Sequence, residues 1–102
     1  MSVKLLMNWD IRPGHDQDYF EFVIREWLPG VNNLGIRPTW AWYTIYSRGR
    51  TPQIMAEAVA DDFPTMRRAL LSEEWGKLHT RLLEYVHNYS QKIVRVTGDF
   101  QL

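Results

Sequence analysis

The sequence predicts an α+β fold in which four strands form one antiparallel sheet and two helical regions cover one of its faces. Three observations support this prediction. Apolar residues alternate in four segments, they recur every three or four positions in two others, and the segments follow in the order β-α-β-β-α-β. A length of 102 residues suits one domain with its own core, so a single domain over residues 1–102 is expected.

The first strand is predicted over residues 3–9 (VKLLMNW), where large apolar side chains alternate. A turn at Pro13 and Gly14 ends this strand, and Asp16 is expected to cap the helix that follows. That helix is predicted to end at Pro29 and to bury one apolar stripe with helical spacing. The stripe consists of Phe20, Ile24, Trp27 and Leu28, with Tyr19 and Val23 beside them.

The other three strands are predicted over residues 36–47, 53–60 and 91–100. The segment SRGRTP, between the second and third strands, is typical of a hairpin loop. One side of the third strand carries only small side chains, so a helix can pack closely there. These side chains are Ala56, Ala58 and Ala60, after Ile54.

Two helices are predicted between the third and fourth strands. Asp61 or Asp62 can cap the first, which is short and pauses at Ser72. Ser72 can cap the second, with Glu73 and Glu74 favourably placed in its first turn. Its apolar stripe is predicted to run from Trp75 through Leu82 to Val86.

This element order is the ferredoxin-like arrangement, which leaves the face of the sheet opposite the helices open. The alternation predicts which side chains occupy that open face. They are Lys4, Leu6 and Asn8 on strand one, Trp40, Trp42, Thr44 and Tyr46 on strand two, Gln53, Met55, Glu57 and Val59 on strand three, and Ile93, Arg95 and Thr97 on strand four. A monomer rarely exposes so large an apolar patch, so a second copy of the chain is expected to cover it. The charges of Glu57 and Arg95 either neutralise each other there or take part in catalysis.

Composition excludes several classes of protein. Lys and Arg (12) balance Asp and Glu (12), and no basic stripe is present, so neither nucleic acid nor an anionic membrane is an expected partner. The absence of cysteine excludes disulfides, thiolate catalysis and Cys-ligated metals. No apolar run is long enough for a signal peptide or a membrane span, so a cytoplasmic location is expected. Glu84 and His87 form a single Glu-x-x-His step, which is too little for a metal site.

Two segments resemble proteins of the dimeric α/β-barrel superfamily, which includes the antibiotic-biosynthesis-monooxygenase-like and NIPSNAP-like proteins. They are IRPGHDQDYFEF and the helix LLSEEWGKLHTRLLEYV before the strand KIVRVTGDF. In element order the resemblance covers nearly the whole chain. It implies a homodimer in which two open sheet faces pack together as a barrel, with pockets beneath the helices or between the sheets.

The resemblance also implies candidate catalytic residues. Heme-degrading members use an Asn on the first strand, a His on the last long helix as iron ligand, and a Trp on the preceding short helix. Asn8 and His79 match the first two positions, but Ala69 stands in place of the Trp. That departure argues against heme degradation and leaves heme binding or another oxygenation open, so the expected cofactor is either heme or none. His79 lies on an apolar stripe, where a histidine can equally be a hydrogen-bonded core residue.

The leading hypothesis is a homodimeric barrel protein that binds a small, flat, hydrophobic or aromatic molecule and oxidises it with molecular oxygen, as other superfamily members do without metal or flavin. The expected ligand-binding residues are Trp40, Trp42, Tyr46, Met55, Glu57 and Arg95, beside the candidate catalytic residues Asn8 and His79. One alternative is a NIPSNAP-like, non-catalytic protein in which the rings seal the dimer. A further alternative is isomerase chemistry on a lactone.

Overall fold

A computed structural model describes residues 1–43 and 52–96, with only the backbone at Trp40. One antiparallel sheet has the strand order β2-β3-β1-β4. The strands are β1 (Val3–Ile11), β2 (Arg37–Tyr43), β3 (Ile54–Ala60) and β4 (Val86–Arg95). The predicted β-α-β-β-α-β order and the four-stranded antiparallel sheet are confirmed. No helix in the described ranges is long and apolar enough to cross a membrane.

The helices follow the predicted order, and the second helical region is divided in two. They are α1 (Asp16–Phe22), a π-helical segment (Val23–Trp27), α2 (Leu28–Asn33), α3 (Phe63–Leu70) and α4 (Glu73–Leu82). The predicted caps of α3 and α4 are present: an Asp62 carboxylate oxygen accepts a hydrogen bond from Thr65 N (2.8 Å), and Ser72 Oγ accepts one from Trp75 N (3.1 Å).

The first helical region is longer than predicted. Its N-cap position is His15 rather than Asp16, and no side-chain hydrogen bond caps it. It continues past Pro29 to Asn33, because Pro29 lies in the first turn of α2, where the missing N–H of proline is tolerated. The π-helical segment directly before it carries a hydrogen bond from Leu28 N to Val23 O.

The predicted inward stripe of this region is wrong for three of its four residues. Phe20, Ile24 and Leu28 are 42%, 66% and 36% exposed, whereas Trp27 is buried as predicted. The buried stripe is formed instead by Tyr19, Phe22, Trp27 and Val31. Two apolar stripes lie side by side in this sequence, and the helix buries the one that carries more aromatic rings.

The helices cover the sheet face that carries the odd-numbered residues of β1, here called the helix side. Burial alternates along the whole of β1, and Leu5 and Met7 pair with Ala58 and Ala56. The small side of β3 therefore packs beneath the helices, as predicted. Helix α2 approaches α4 closely, since a Cβ atom at Gly30 would lie 2.6 Å from Leu78 Cδ1.

The second half of the chain departs from prediction at the end of α4. This helix ends at Leu82 rather than Val86, and Val86 is the first residue of β4. His87 therefore lies on a strand opposite Asp10, and the proposed helical step from Glu84 to His87 does not exist. Residues 97–100 of the predicted last strand lie outside the described ranges.

A β-bulge in β4 reverses the predicted faces of its later residues. Asn88 and Tyr89 lie together opposite Trp9, because Asn8 pairs with Ser90 and Asp10 with His87. Asn88 has a φ of 56°, in the left-handed region that asparagine tolerates better than most residues. One extra residue moves every following side chain to the other face.

Beyond the bulge, Lys92 and Val94 lie on the open face, opposite Leu6 and Lys4. Ile93 and Arg95 lie on the helix side, opposite Leu5 and Val3, so their predicted open-face positions are wrong. On the other strands, the pairing of residues confirms most of the predicted open-face positions. The set is Lys4, Leu6 and Asn8 on β1, Trp42 on β2, and Met55, Glu57 and Val59 on β3. The backbone of Trp40 pairs with Glu57, while Thr44, Tyr46 and Thr97 lie outside the described residues.

Candidate ligand-binding site

A cavity of about 270 Å³ lies on the helix side, between the first helical region and strands β2 and β3. Its wall is mainly apolar and rich in aromatic rings. The principal lining residues are Trp9, Tyr19, Val23, Trp27, Ala41 and Ile54. Leu28 and Ala41 line the cavity and are also exposed, so the cavity reaches the surface between the helix and the edge strand.

Trp9 is the centre of the aromatic wall. The alternation of β1 directs its indole to the helix side, where Tyr19 and Trp27 meet it edge to face with centroids 6.5 and 5.8 Å away. Tyr89, placed by the bulge, stacks on the same indole at 5.7 Å. These contacts fix the ring orientations, because each pair has a preferred offset or edge-to-face geometry.

Three of the aromatic residues that line this cavity carry a polar hydrogen. Trp9 Nε1 donates a hydrogen bond to the Tyr19 hydroxyl at 3.0 Å. Burial raises the pKa of Tyr19 to about 12, so its hydroxyl keeps its proton at neutral pH. Trp27 Nε1 is buried and has no hydrogen-bond partner within the described part of the chain.

Glu57 belongs to both depressions: residue 57 borders the cavity on the helix side, while its side chain lies on the open face by register and is buried despite its charge. Its Oε1 lies 3.2 Å from Lys4 Nζ, and its Oε2 accepts a hydrogen bond from the Thr39 hydroxyl. Thr39 is the extra residue of a bulge in β2, between Pro38 and Trp40. The predicted neutralisation of Glu57 by Arg95 is therefore wrong, and Lys4 neutralises Glu57 instead.

A second, shallower depression of about 480 Å³ lies on the open face. It brings together Asn8, Met55 and Glu57 from the predicted site, with Leu6 and Lys92 beside them. Asn8 Oδ1 accepts a hydrogen bond from the Ser90 hydroxyl at 2.8 Å. Trp42 lies opposite Met55 and is 55% exposed. Arg95, the last residue of β4, also borders the depression, although by register its side chain belongs to the helix side. Tyr46 lies outside the described residues.

The structure does not bring Asn8 and His79 together. His79 projects from α4 on the helix side, where its ring stacks on Trp75 (5.8 Å) and meets the edge of Tyr89 at 4.6 Å. Asn8 points to the open face, one residue before Trp9 on β1. The sheet therefore separates the two residues, and they cannot contact the same small molecule.

The surroundings of His79 decide whether it can serve as a heme ligand. Its Nδ1 is buried without a hydrogen-bond partner in the described ranges, and burial lowers the pKa of its imidazole. An iron ligand needs open space for a porphyrin beside the imidazole. His79 lines neither of the two cavities described above, and aromatic rings pack against it. The residues around His79 thus do not fit a heme.

The cavity on the helix side was not predicted from the sequence. Trp9, Tyr19 and Trp27 read as core residues, because their positions agree with alternation or helical spacing. The signal that could have found it is a mismatch in size: large rings on β1 and the helix face small side chains, Ala41 and Ala56, on β2 and β3.

No family model matches the sequence, and no curated protein matches it. Solved structures are similar along nearly the whole chain. A NIPSNAP family protein from Agrobacterium tumefaciens is 16% identical with a TM-score of 0.72, and the match covers 95% of this chain and 94% of that one. SnoaB, a cofactor-independent oxygenase from Streptomyces nogalater, is 16% identical with a TM-score of 0.67 and coverage of 96% and 95%.

A third similar structure is a dimeric protein of unknown function with a ferredoxin-like fold, from Bacteroides fragilis. It is 14% identical with a TM-score of 0.62, and the match covers 93% of this chain and 96% of that one. Identities this low relate folds and do not by themselves establish an activity. The chain therefore has a ferredoxin-like α+β fold, which it shares with these solved structures.

Proposed function

We propose that this protein is a homodimer whose subunits each bind a small, flat, uncharged hydrophobic molecule in the cavity on the helix side. The observation that carries the proposal is the cavity wall, in which the rings of Trp9, Tyr19 and Trp27 surround about 270 Å³ of space. An apolar, partly enclosed cavity with a few polar groups is the usual form of a small-molecule site.

The charge of the cavity supports an uncharged ligand. Of the described residues that line it, Glu57 alone has a charged side chain; by register that side chain lies on the open face, where its carboxylate is 3.2 Å from Lys4 Nζ. An ion without a partner of opposite charge is costly to move into such surroundings. Flat molecules are favoured because the aromatic wall offers ring faces and edges that are already held in place.

The open face supports the homodimer. Leu6, Trp42, Met55, Val59 and Val94 form an apolar surface there, interrupted by the pair of Lys4 and Glu57. A sheet face of this composition is stabilised when a second sheet covers it. The dimeric protein from Bacteroides fragilis has the same fold, in keeping with this assembly.

Oxygenation of the bound molecule is a second candidate function, favoured by the similarity to SnoaB. Oxygenation without a cofactor requires a base that removes a proton from the substrate. Tyr19 is protonated at neutral pH, Glu57 is paired with Lys4, and His79 is separated from the cavity by Tyr89 and Trp9. Binding is thus better supported than chemistry, and oxygen consumption with a bound phenol is the assay for the latter.

The binding proposal is tested by titrating the protein with indane, a flat hydrocarbon, and following the tryptophan emission. We expect saturable quenching in the wild type, because Trp9 and Trp27 line the cavity. Ala41→Phe places a ring in the mouth of the cavity and should weaken binding ~10-fold or more, since a steric clash costs over 1.4 kcal/mol. Thr80→Phe adds the same ring on exposed α4, away from the cavity, and should change nothing. Absence of saturable binding, or equal binding by both variants, would contradict the proposal.

Assembly is tested separately by sedimentation at micromolar concentration. The wild type should be a dimer, and Trp42→Asp should dissociate it, because the aspartate would be buried between two apolar sheets. Leu71→Asp is the matched control: Leu71 is 72% exposed in the turn between α3 and α4, away from the open face. A monomeric wild type, or dissociation by both substitutions, would contradict the sheet-to-sheet dimer.

A further inference from the structure

We infer that the depression on the open face is a second binding site, which takes a small organic carboxylate. Lys92 supplies the counter-charge for the acid group, and the apolar floor of the depression holds the rest of the molecule. This inference goes beyond the proposed function, which places an uncharged molecule on the other side of the sheet.

The depression carries more positive than negative charge. Lys4, Lys92 and Arg95 border it, and of the described residues that do so Glu57 alone is acidic. The Glu57 carboxylate lies 3.2 Å from Lys4 Nζ, so these two charges offset each other. Lys92 forms no ion pair within the described parts of the chain. The surplus positive charge favours an anion as ligand.

The acidic residue of β1 does not supply the missing counter-charge. Asp10 lies four positions beyond Leu6, the residue opposite Lys92, which is ~13 Å along a strand. The Asp10 carboxylate also accepts two hydrogen bonds, from Gln53 N at 2.8 Å and from Asn88 Nδ2 at 3.0 Å. The described part of the subunit thus leaves Lys92 without a counter-ion.

Lys92 stands beside a free amide and an apolar floor. It lies opposite Leu6 and diagonal to Asn8, which pairs with Ser90, and such diagonal neighbours are roughly 7–8 Å apart, within reach of a long side chain. Asn8 Oδ1 accepts the hydrogen bond of the Ser90 hydroxyl, so the amide nitrogen keeps two hydrogens for a further acceptor. Leu6 and Met55 line the same depression. An ammonium and an amide donor suit the two oxygens of a carboxylate.

The homodimer proposed above would strengthen this interaction. A second sheet over the open face removes the depression from water, where an ammonium without a counter-ion is costly. A bound carboxylate removes that cost, and its attraction to the ammonium is greater there than at a solvated surface.

The test is a calorimetric titration of the full chain with indane-2-carboxylate. The wild type should bind it saturably. Lys92→Met keeps the length of the side chain but removes its charge, and it should weaken binding ~10-fold or more. Asn8→Asp adds a negative charge to the depression and should abolish binding. Lys77→Met is the matched control, because the side chain of Lys77 is 75% exposed on α4 and lies outside the depression; its affinity should equal that of the wild type.

NMR separates this site from the cavity on the helix side. Indane-2-carboxylate should move the backbone amide resonances of Leu6 and Lys92, whereas indane should move those of Val23 and Trp27. If the carboxylate does not bind, or binds equally well to Lys92→Met, the open-face site is refuted and the proposed function stands.

Sedimentation of the same variant adds one further outcome. If Lys92→Met dissociates the dimer but keeps the wild-type affinity for the carboxylate, Lys92 serves the subunit interface and the inference fails. Failure of indane to bind the wild type contradicts the proposed function and leaves the carboxylate site to be judged by its own titration.

Discussion

Replacing Tyr19 with phenylalanine deletes the hydroxyl that accepts a hydrogen bond from Trp9 Nε1 at 3.0 Å. Both residues are almost fully buried, at 3% and 2% exposure, so the indole N–H that loses its acceptor has little access to water. The ring of residue 19 and its contacts with Trp9 and Phe20 are kept. The expected loss is therefore the penalty for an unsatisfied buried N–H, about 2 kcal/mol.

That loss should lower the midpoint of thermal unfolding by roughly 8–16 °C for a domain of this size. The measurement is scanning calorimetry, with protomer concentration fixed because dimerisation would make the midpoint depend on it. Tyr43→Phe is the matched control: its hydroxyl accepts a hydrogen bond from Gln53 Nε2 at 3.3 Å, but Tyr43 is 40% exposed, and the expected change is within ~0.5 kcal/mol. Equal losses in the two variants would refute the role given to the Trp9–Tyr19 hydrogen bond.

Three further predictions concern stability. Burial lowers the pKa of His79 below its unfolded value of about 6.5, so the contribution of the neutral imidazole to folding stability is complete above that pH and is lost as the pH falls. In urea unfolding, the free energy of unfolding should therefore decrease less from pH 7.5 to 5 in His79→Gln than in the wild type. Gly30→Ala should lower the free energy of unfolding by about 1 kcal/mol, because the clash with Leu78 outweighs the gain in helix propensity. In a double-mutant cycle, Leu78→Ala should recover part of this loss, whereas additive losses in the two variants would contradict the contact. Ser72→Ala should cost about 1 kcal/mol by removing the cap of α4, whereas no change in chemical denaturation would show that the cap is replaced.

Strong local signals predicted the sheet and most of the helix starts. The alternation along β1 is complete, and Asp62 and Ser72 are effective N-caps, so these elements follow from short-range rules. The faces of β1 and β3 were predicted for the same reason: their register sets the small alanine side beneath the helices. Short-range rules thus suffice wherever one choice of face is clearly better.

The predictions that failed concern side chains whose burial or sheet face depends on tertiary packing. Phe20 and Tyr19 both belong to apolar stripes, and the buried stripe is the one in which Tyr19 contacts Trp9 across the core. The bulge at Asn88 shifts Arg95 to the helix side, and a one-residue insertion leaves no sign in the alternation of a mixed edge strand. The cavity depends on both effects, because Tyr19 and the Tyr89 that supports Trp9 are placed by them.

The position of a bound ligand distinguishes the cavity on the helix side from the depression on the open face. A crystal structure of the protein soaked with indane tests this most directly. The ligand is predicted to lie between Trp9, Trp27 and Ala41. A ligand bound instead beside Asn8 and Trp42 on the open face would contradict the proposed site.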